Sequence, residues 1–122
     1  MGYRSEVAIA LSKSDMDRLF EEAEEASSAS DPCSPSALLG YGTRCDVETD
    51  EGPWSILHFD WIKWYSGCGE KDIDLVMGFL ETCDAYHFLR IGEEDGDIED
   101  EAFNMPVDLM HPYTEAHIEF DC

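Results

Sequence analysis

The sequence predicts an α+β domain, an antiparallel sheet carrying two helices on one face, with one or two extra short strands. Apolar residues alternate at period two in several short stretches and recur at helical spacing in two others. The stretches follow one another as strand, helix, strand, strand, helix, strand. Hydrophobic residues fill 43% of the 122 positions and aromatics 11%, enough for a single domain over 1–122 to bury a core.

Tyr3, Ser5, Val7, Ile9 and Leu11 alternate with Arg4, Glu6, Ala8 and Ala10, which predicts a first strand with one buried face. Ser14 and Asp17 have the spacing of a capping box. Met16, Leu19, Phe20 and Ala23 then mark a helix from about Asp15 to Ala26. Ser, Pro, Gly and Ala dominate residues 27–43, which read as a long surface loop with one short turn at Ala37-Leu38-Leu39.

A second strand fits Thr43 to Thr49, with Cys45 and Val47 inward and Arg44, Asp46 and Glu48 outward. Asp50-Glu51-Gly52-Pro53 is turn chemistry and joins it as a hairpin to a strand from Trp54 to Tyr65. That strand is apolar on both sides, which suits a place inside the sheet. Ser66-Gly67-Cys68-Gly69 ends it, and Ile73, Val76, Met77 and Leu80 mark a second helix from about Lys71 to Cys83. Tyr86 to Ile91 is the next strand, a hairpin is expected about Asp95-Gly96, and Ala116 to Asp121 offers a last strand beyond Pro106 and Pro112. This order is the split βαββαβ pattern of ferredoxin-like folds.

Charge is the other dominant feature. Twenty-nine acids stand against seven bases, a formal net charge of −22. A folded chain of this mass exposes roughly 6,600 Å², or about 300 Å² per net charge, so self-repulsion opposes folding and added salt is expected to stabilise the protein. Between Ile91 and Cys122 there are eleven Asp and Glu and no Lys or Arg. Seven of the eleven are Glu93, Glu94, Asp95, Asp97, Glu99, Asp100 and Glu101. Glu21, Glu22, Glu24 and Glu25 crowd the C-terminal half of the first helix, where the dipole favours cations. Like charges at i,i+3 and i,i+4 cost about 0.2–0.5 kcal/mol per pair in an isolated helix. Acidic runs are most often solvated faces. Rules broken without local benefit point instead to function, and both sets are candidate partner-binding residues.

Such a surface repels nucleic acid and anionic membranes, so direct binding to either is not expected. It attracts proteins built to hold a phosphate backbone, because Arg pairs bidentately with carboxylate much as with phosphate. The expected partner is a basic DNA-binding protein, engaged by charge mimicry of DNA.

Enzyme chemistry finds no motif, and neither a cofactor nor a catalytic residue is expected. There is no phosphate loop or dinucleotide fingerprint. His58 and His87 fall within predicted strands, His111 and His117 lack metal-ligand spacing, and Asp100 stands where a calcium loop begun at Asp95 needs glycine. Cys33, Cys45, Cys68, Cys83 and Cys122 form no Cys-x-x-Cys pair. No apolar run has the length of a membrane span, and the opening has no signal-peptide core. The expectation is a reduced, cytosolic chain.

The opening Met1-Gly2-Tyr3-Arg4-Ser5-Glu6-Val7-Ala8-Ile9-Ala10-Leu11 resembles the start of small phage and prophage proteins. With the size, acidity and element order, the chain resembles anti-CRISPR proteins, in particular DNA-mimicking inhibitors of type I surveillance complexes. The resemblance implies a phage protein acting in the bacterial host cytoplasm. It would bind a Cascade-type complex, with type I-C as the subtype, at the large subunit that reads the protospacer-adjacent motif (PAM), and block target DNA. Other DNA-binding hosts, such as restriction or nucleoid proteins, remain the alternative targets. A further alternative is a small acidic structural or regulatory module whose tryptophan-bearing strand is an interface.

Overall fold

The computed structural model describes residues 5–26, 35–62, 64, 71–92, 97–106, 110–113 and 117–120. The elements are β1 (Ser5–Ser12), α1 (Lys13–Glu25), α2 (Pro35–Gly40), β2 (Thr43–Thr49), β3 (Gly52–Ile62), α3 (Lys71–Glu81), β4 (Tyr86–Gly92), β5 (Ile98–Phe103), β6 (Met110–Tyr113) and β7 (His117–Phe120). Five strands form one sheet in the order β2-β3-β1-β4-β5, and each neighbouring pair is antiparallel. β6 and β7 pair antiparallel as a separate ribbon.

The expected class, α+β with an antiparallel sheet and helices on one face, describes this architecture. The strand order is that of a five-stranded sheet rather than the four-stranded ferredoxin-like pattern, because the acidic strand joins as a fifth member beyond β4. Among the described residues three helices, rather than two, serve the same face. Met16, Leu19 and Ala23 of α1, Leu38 and Leu39 of α2, and Ile73, Val76, Phe79 and Leu80 of α3 share one cluster with Val7, Ile9 and Leu11 of β1.

The first strand departs from its expected single buried face. Ala8 and Ala10 point opposite to Val7, Ile9 and Leu11, yet all five are fully buried. Ala8 and Ala10 join Trp54, Ile56, Leu89 and Ile91 in a second cluster on the other side of the sheet. The cause is position. β1 is the middle strand, and the β6–β7 ribbon packs against β1 and β4. Alternation of small with large residues encodes a two-sided strand here, which looks like one-sided patterning when alanine is counted as outward.

Local chemistry sets several boundaries. Ser12, not Ser14, caps α1: its Oγ accepts a hydrogen bond from the Asp15 amide at 3.3 Å. The surface-loop reading of 27–43 is corrected at α2, where Pro35 occupies the first helical turn and Leu38 and Leu39 are buried. The β2–β3 hairpin closes over Asp50-Glu51, with Thr49 opposite Gly52 at φ 105°. Thr49 Oγ1 accepts from the Glu51 amide and donates to the Gly52 carbonyl, which holds the turn. Arg44, expected outward on β2, instead reaches α1 and lies over the Phe20 ring.

Two expectations about special residues also change. Of the tryptophans expected at an interface, Trp54 packs in the second cluster and Trp64, beyond β3, in the first, while the Trp61 side chain lies outside the described residues. Trp64 lies 5.5 Å from Phe59 and 6.1 Å from Phe88, ring centre to ring centre. The fully reduced reading is corrected at Cys45, which is disulfide-bonded, while Cys83 is a buried free thiol. The expected break at Ser66–Gly69 and turn at Asp95-Gly96 lie outside the described residues.

Gly42, between α2 and β2, tests the packing. A Cβ there would stand 2.8 Å from Leu57 Cδ1 and 3.0 Å from Phe59 Cε1, both on buried side chains. Gly42→Ala is therefore expected to destabilise the protein by about 1–3 kcal/mol, read as a lower urea midpoint at unchanged slope.

Candidate functional site

Strand β5 carries Glu99, Asp100 and Glu101 of the acidic run, and all six of its residues are exposed. It is the outermost strand beside β4, in an unbroken register from Ile91↔Ile98 to Tyr86↔Phe103. Asp97 precedes it, and Gly92 donates its amide to the Asp97 carbonyl at 2.8 Å. Glu93, Glu94 and Asp95 lie outside the described residues.

Side chains of β4 hold each described acid of this run. Arg90 Nη2 donates to Asp97 Oδ1 at 2.7 Å, and its Nε donates to Glu99 Oε1 at 2.7 Å. Its Nη1 also donates to Ser5 Oγ at 2.8 Å, which ties the acidic edge to β1. Burial works against the charge of Arg90, yet the hydrogen bonds to Asp97 and Glu99 outweigh it and raise its pKa. His87 Nε2 lies 2.6 Å from Asp100 Oδ1. Tyr86 donates its hydroxyl to Glu101.

Strand alternation sorts these acids by face. Glu99 and Glu101 lie opposite Arg90 and Phe88, on the helix side of the sheet. Asp100 lies opposite Leu89, on the side of the second cluster. Two residues along a strand span about 6.8 Å, close to the axial distance between alternate phosphates on one DNA strand. Arg90 cancels one negative charge, and the remaining carboxylates point from a surface whose rotamers are already fixed.

The α1 acids form a separate patch. Glu21, Glu22, Glu24 and Glu25 are exposed, while Ala23 between them is buried. Arg18 Nε lies 3.7 Å from Glu22 Oε2, and no base stands in the last turn. α1 packs on β1 and β3 and is bound to β2 by the 2.7 Å Arg44–Asp17 pair. β2 and β5 are opposite edges of the sheet. The described acids of the two sets therefore sit on different elements, the edge strand β5 and the helix α1.

Sequence reading missed the β4 partners. The signal was Tyr86, His87 and Arg90 within one strand directly before an acidic run, in a chain with only seven bases. A second polar cluster joins β2, β3 and α1. Ser55 Oγ donates to Asp46 Oδ1 at 2.6 Å and Arg44 Nε donates to the same oxygen at 3.0 Å, and these bonds, Ser55's first, depress the Asp46 pKa. His58 Nε2 lies 2.7 Å from Glu6 Oε2 at a nearly buried site.

Nothing among these groups is arranged as a nucleophile with a base. Burial, with Asp15 nearby, pushes the Cys83 thiol up to about 11, so it is protonated at neutral pH. Among the described residues, no three His, Cys, Asp or Glu side chains group as a metal site. No described helix is long and apolar enough to cross a membrane. No family model matches the chain, and no curated protein or solved structure matches it either.

The hydrogen bond to Glu101, followed by burial, raises the Tyr86 phenol to about 12. A raised phenol pKa adds stability that is complete below about pH 10 and is lost as pH rises toward 12. The difference in 295 nm absorbance between wild type and Tyr86→Phe is expected to titrate near pH 12, and Glu101→Gln is expected to return it toward 10. Arg90→Met is expected to cost about 1.5–3 kcal/mol in urea unfolding, because it releases two carboxylates beside each other at a crowded edge. Added salt should narrow that gap.

Proposed function

We propose that this protein is an acidic, DNA-mimicking inhibitor of a type I CRISPR surveillance complex, of subtype I-C. It occupies the DNA- and PAM-recognition site on the large PAM-reading subunit and blocks target DNA binding. The host cytoplasm is its place of action. The observation that carries this reading is β5, a fully exposed strand whose consecutive Glu99, Asp100 and Glu101 are each oriented by a β4 side chain. Oriented carboxylates lose less rotamer entropy when arginines of a DNA-binding cleft engage them. The net charge of −22 adds long-range attraction to a basic target and speeds encounter.

The same surface suits a restriction or nucleoid protein, which is the second reading within this class. An interface built on the tryptophan strand loses support, since Trp54 and Trp64 are buried. The Cys45 disulfide counts against a reducing compartment. Non-reducing mass analysis of protein trapped in host cells therefore tests the cytoplasmic assignment directly. The finer fold reading, a ferredoxin-like unit extended by one edge strand, is supported by β1 lying between β3 and β4 with β2 outside β3.

The test is displacement of a labelled target duplex from a purified type I-C complex, at two salt concentrations. Two variants separate the patches: Glu99→Gln with Glu101→Gln on β5, and Glu21, Glu24 and Glu25→Gln on α1. Wild type is expected to displace the duplex, with about tenfold weaker apparent affinity at the higher salt. The β5 variant should lose most of this and the α1 variant little. Failure of wild type to displace at either salt refutes the CRISPR target, and the same assay on restriction and nucleoid proteins then decides the second reading.

A further inference from the structure

β5 has an open side as well as a charged one. Gly92 and Asp97 are a bonded pair, and in an antiparallel ladder bonded and non-bonded pairs alternate. Glu99, Glu101 and Phe103 therefore spend their backbone groups on β4. The amides and carbonyls of Ile98, Asp100 and Ala102 point away from the sheet, along a strand exposed at every residue. Proteins blunt such an edge with proline, lysine, a bulge or charge. β5 has no Pro or Lys, and its register with β4 shows no shift.

Charge alone guards this edge, and charge is a selective guard. A second copy would set Glu99-Asp100-Glu101 against an identical acidic strand, which cross-strand repulsion disfavours. An extended segment bearing Lys or Arg meets the opposite: Glu99 and Glu101 on one face, Asp100 on the other, and three outward peptide groups between them. Ile98 and Phe103, each 47% exposed, give the ends of the strand apolar contacts for a neighbour.

We propose that the open edge of β5 receives an extended, Lys/Arg-bearing segment of a protein partner as a sixth strand of the sheet, held by main-chain hydrogen bonds to Ile98, Asp100 and Ala102 and by the flanking carboxylates. This rests on the reading above in taking the partner to be a basic protein, and it specifies how that partner is engaged. Main-chain pairing supplies affinity and the acids supply selectivity for bases.

The experiment uses a dye-labelled octapeptide of alternating Arg and Val, and a twin of equal charge with alternate amides methylated. Binding is read by anisotropy on the whole protein. Ala102→Pro removes one outward amide, keeps every carboxylate and breaks no bond to β4, since proline is tolerated on the free side of an edge strand. Wild type is expected to bind the peptide. Ala102→Pro and the methylated twin should each weaken binding about tenfold, and Glu99→Gln with Glu101→Gln should weaken it while flattening its salt dependence. Equal binding of the methylated twin by wild type would overturn the strand mode whether or not Ala102→Pro folds. Absence of peptide binding, or wild-type dimers that Ala102→Pro abolishes, would overturn it as well. The duplex-displacement assay keeps the two proposals apart. Full displacement by folded Ala102→Pro sinks the added strand and leaves the mimicry, whereas peptide binding without any displacement sinks the CRISPR target and leaves the edge.

Discussion

Arg18, Arg44 and Arg90 each hold two carboxylates, and the fold depends on where those three cations sit. Arg90 joins Asp97 and Glu99 to Ser5, so it connects β5, β4 and β1. Arg44 joins Asp17 of α1 to Asp46 of β2. Arg18 lies near Asp15 and Glu22 and over the Phe79 ring of α3. In a chain of 29 acids and seven bases, acidic elements approach one another where a cation is shared or where a hydroxyl or imidazole takes its place. Arg suits this, because its fork serves two partners at once and its stem packs on apolar surface.

The same scarcity explains where the acids went. Interior strands β1 and β3 carry few charges, and buried Glu6 has His58 beside it. The densest acidic strand takes the outermost position, where water solvates one side and β4 supplies donors on the other. An edge is also where a sheet is open to a new strand, so placing the acids there couples solubility with protection from self-pairing in one element. The α1 acids are exposed as well, on a helix whose backbone groups are spent on its own turns.

Much of this was legible in the sequence, for identifiable reasons. Strong periodicity located β1, α1, β2, β3, α3 and β4 to within a few residues, because each buries a regular stripe. Weak periodicity hid α2, a six-residue helix whose Leu38 and Leu39 look like loop residues beside Ser, Pro and Gly. The cap moved to Ser12 because capping depends on the backbone turning at that residue, and Ser12 and Ser14 are equally suited by composition. The acidic run was plain in the sequence, yet the pairing of Tyr86 with Glu101 and His87 with Asp100 was not. Those contacts depend on the β4–β5 register, which composition does not set.

Composition and local periodicity determined that the chain folds around an aromatic-rich core, that its surface is strongly negative, and that its helices and strands mix in an antiparallel α+β arrangement. These are sums and local periods, and each residue contributes to them independently of its distant neighbours. Only the tertiary structure decided that Ala8 and Ala10 are as buried as Val7, that Trp54 and Trp64 are core, and that the acidic strand β5 stands at an edge of the sheet. Each of those outcomes depends on which strand lies next to which. That is a property of pairwise packing across the whole chain, with β1 between β3 and β4, and no local pattern carries it.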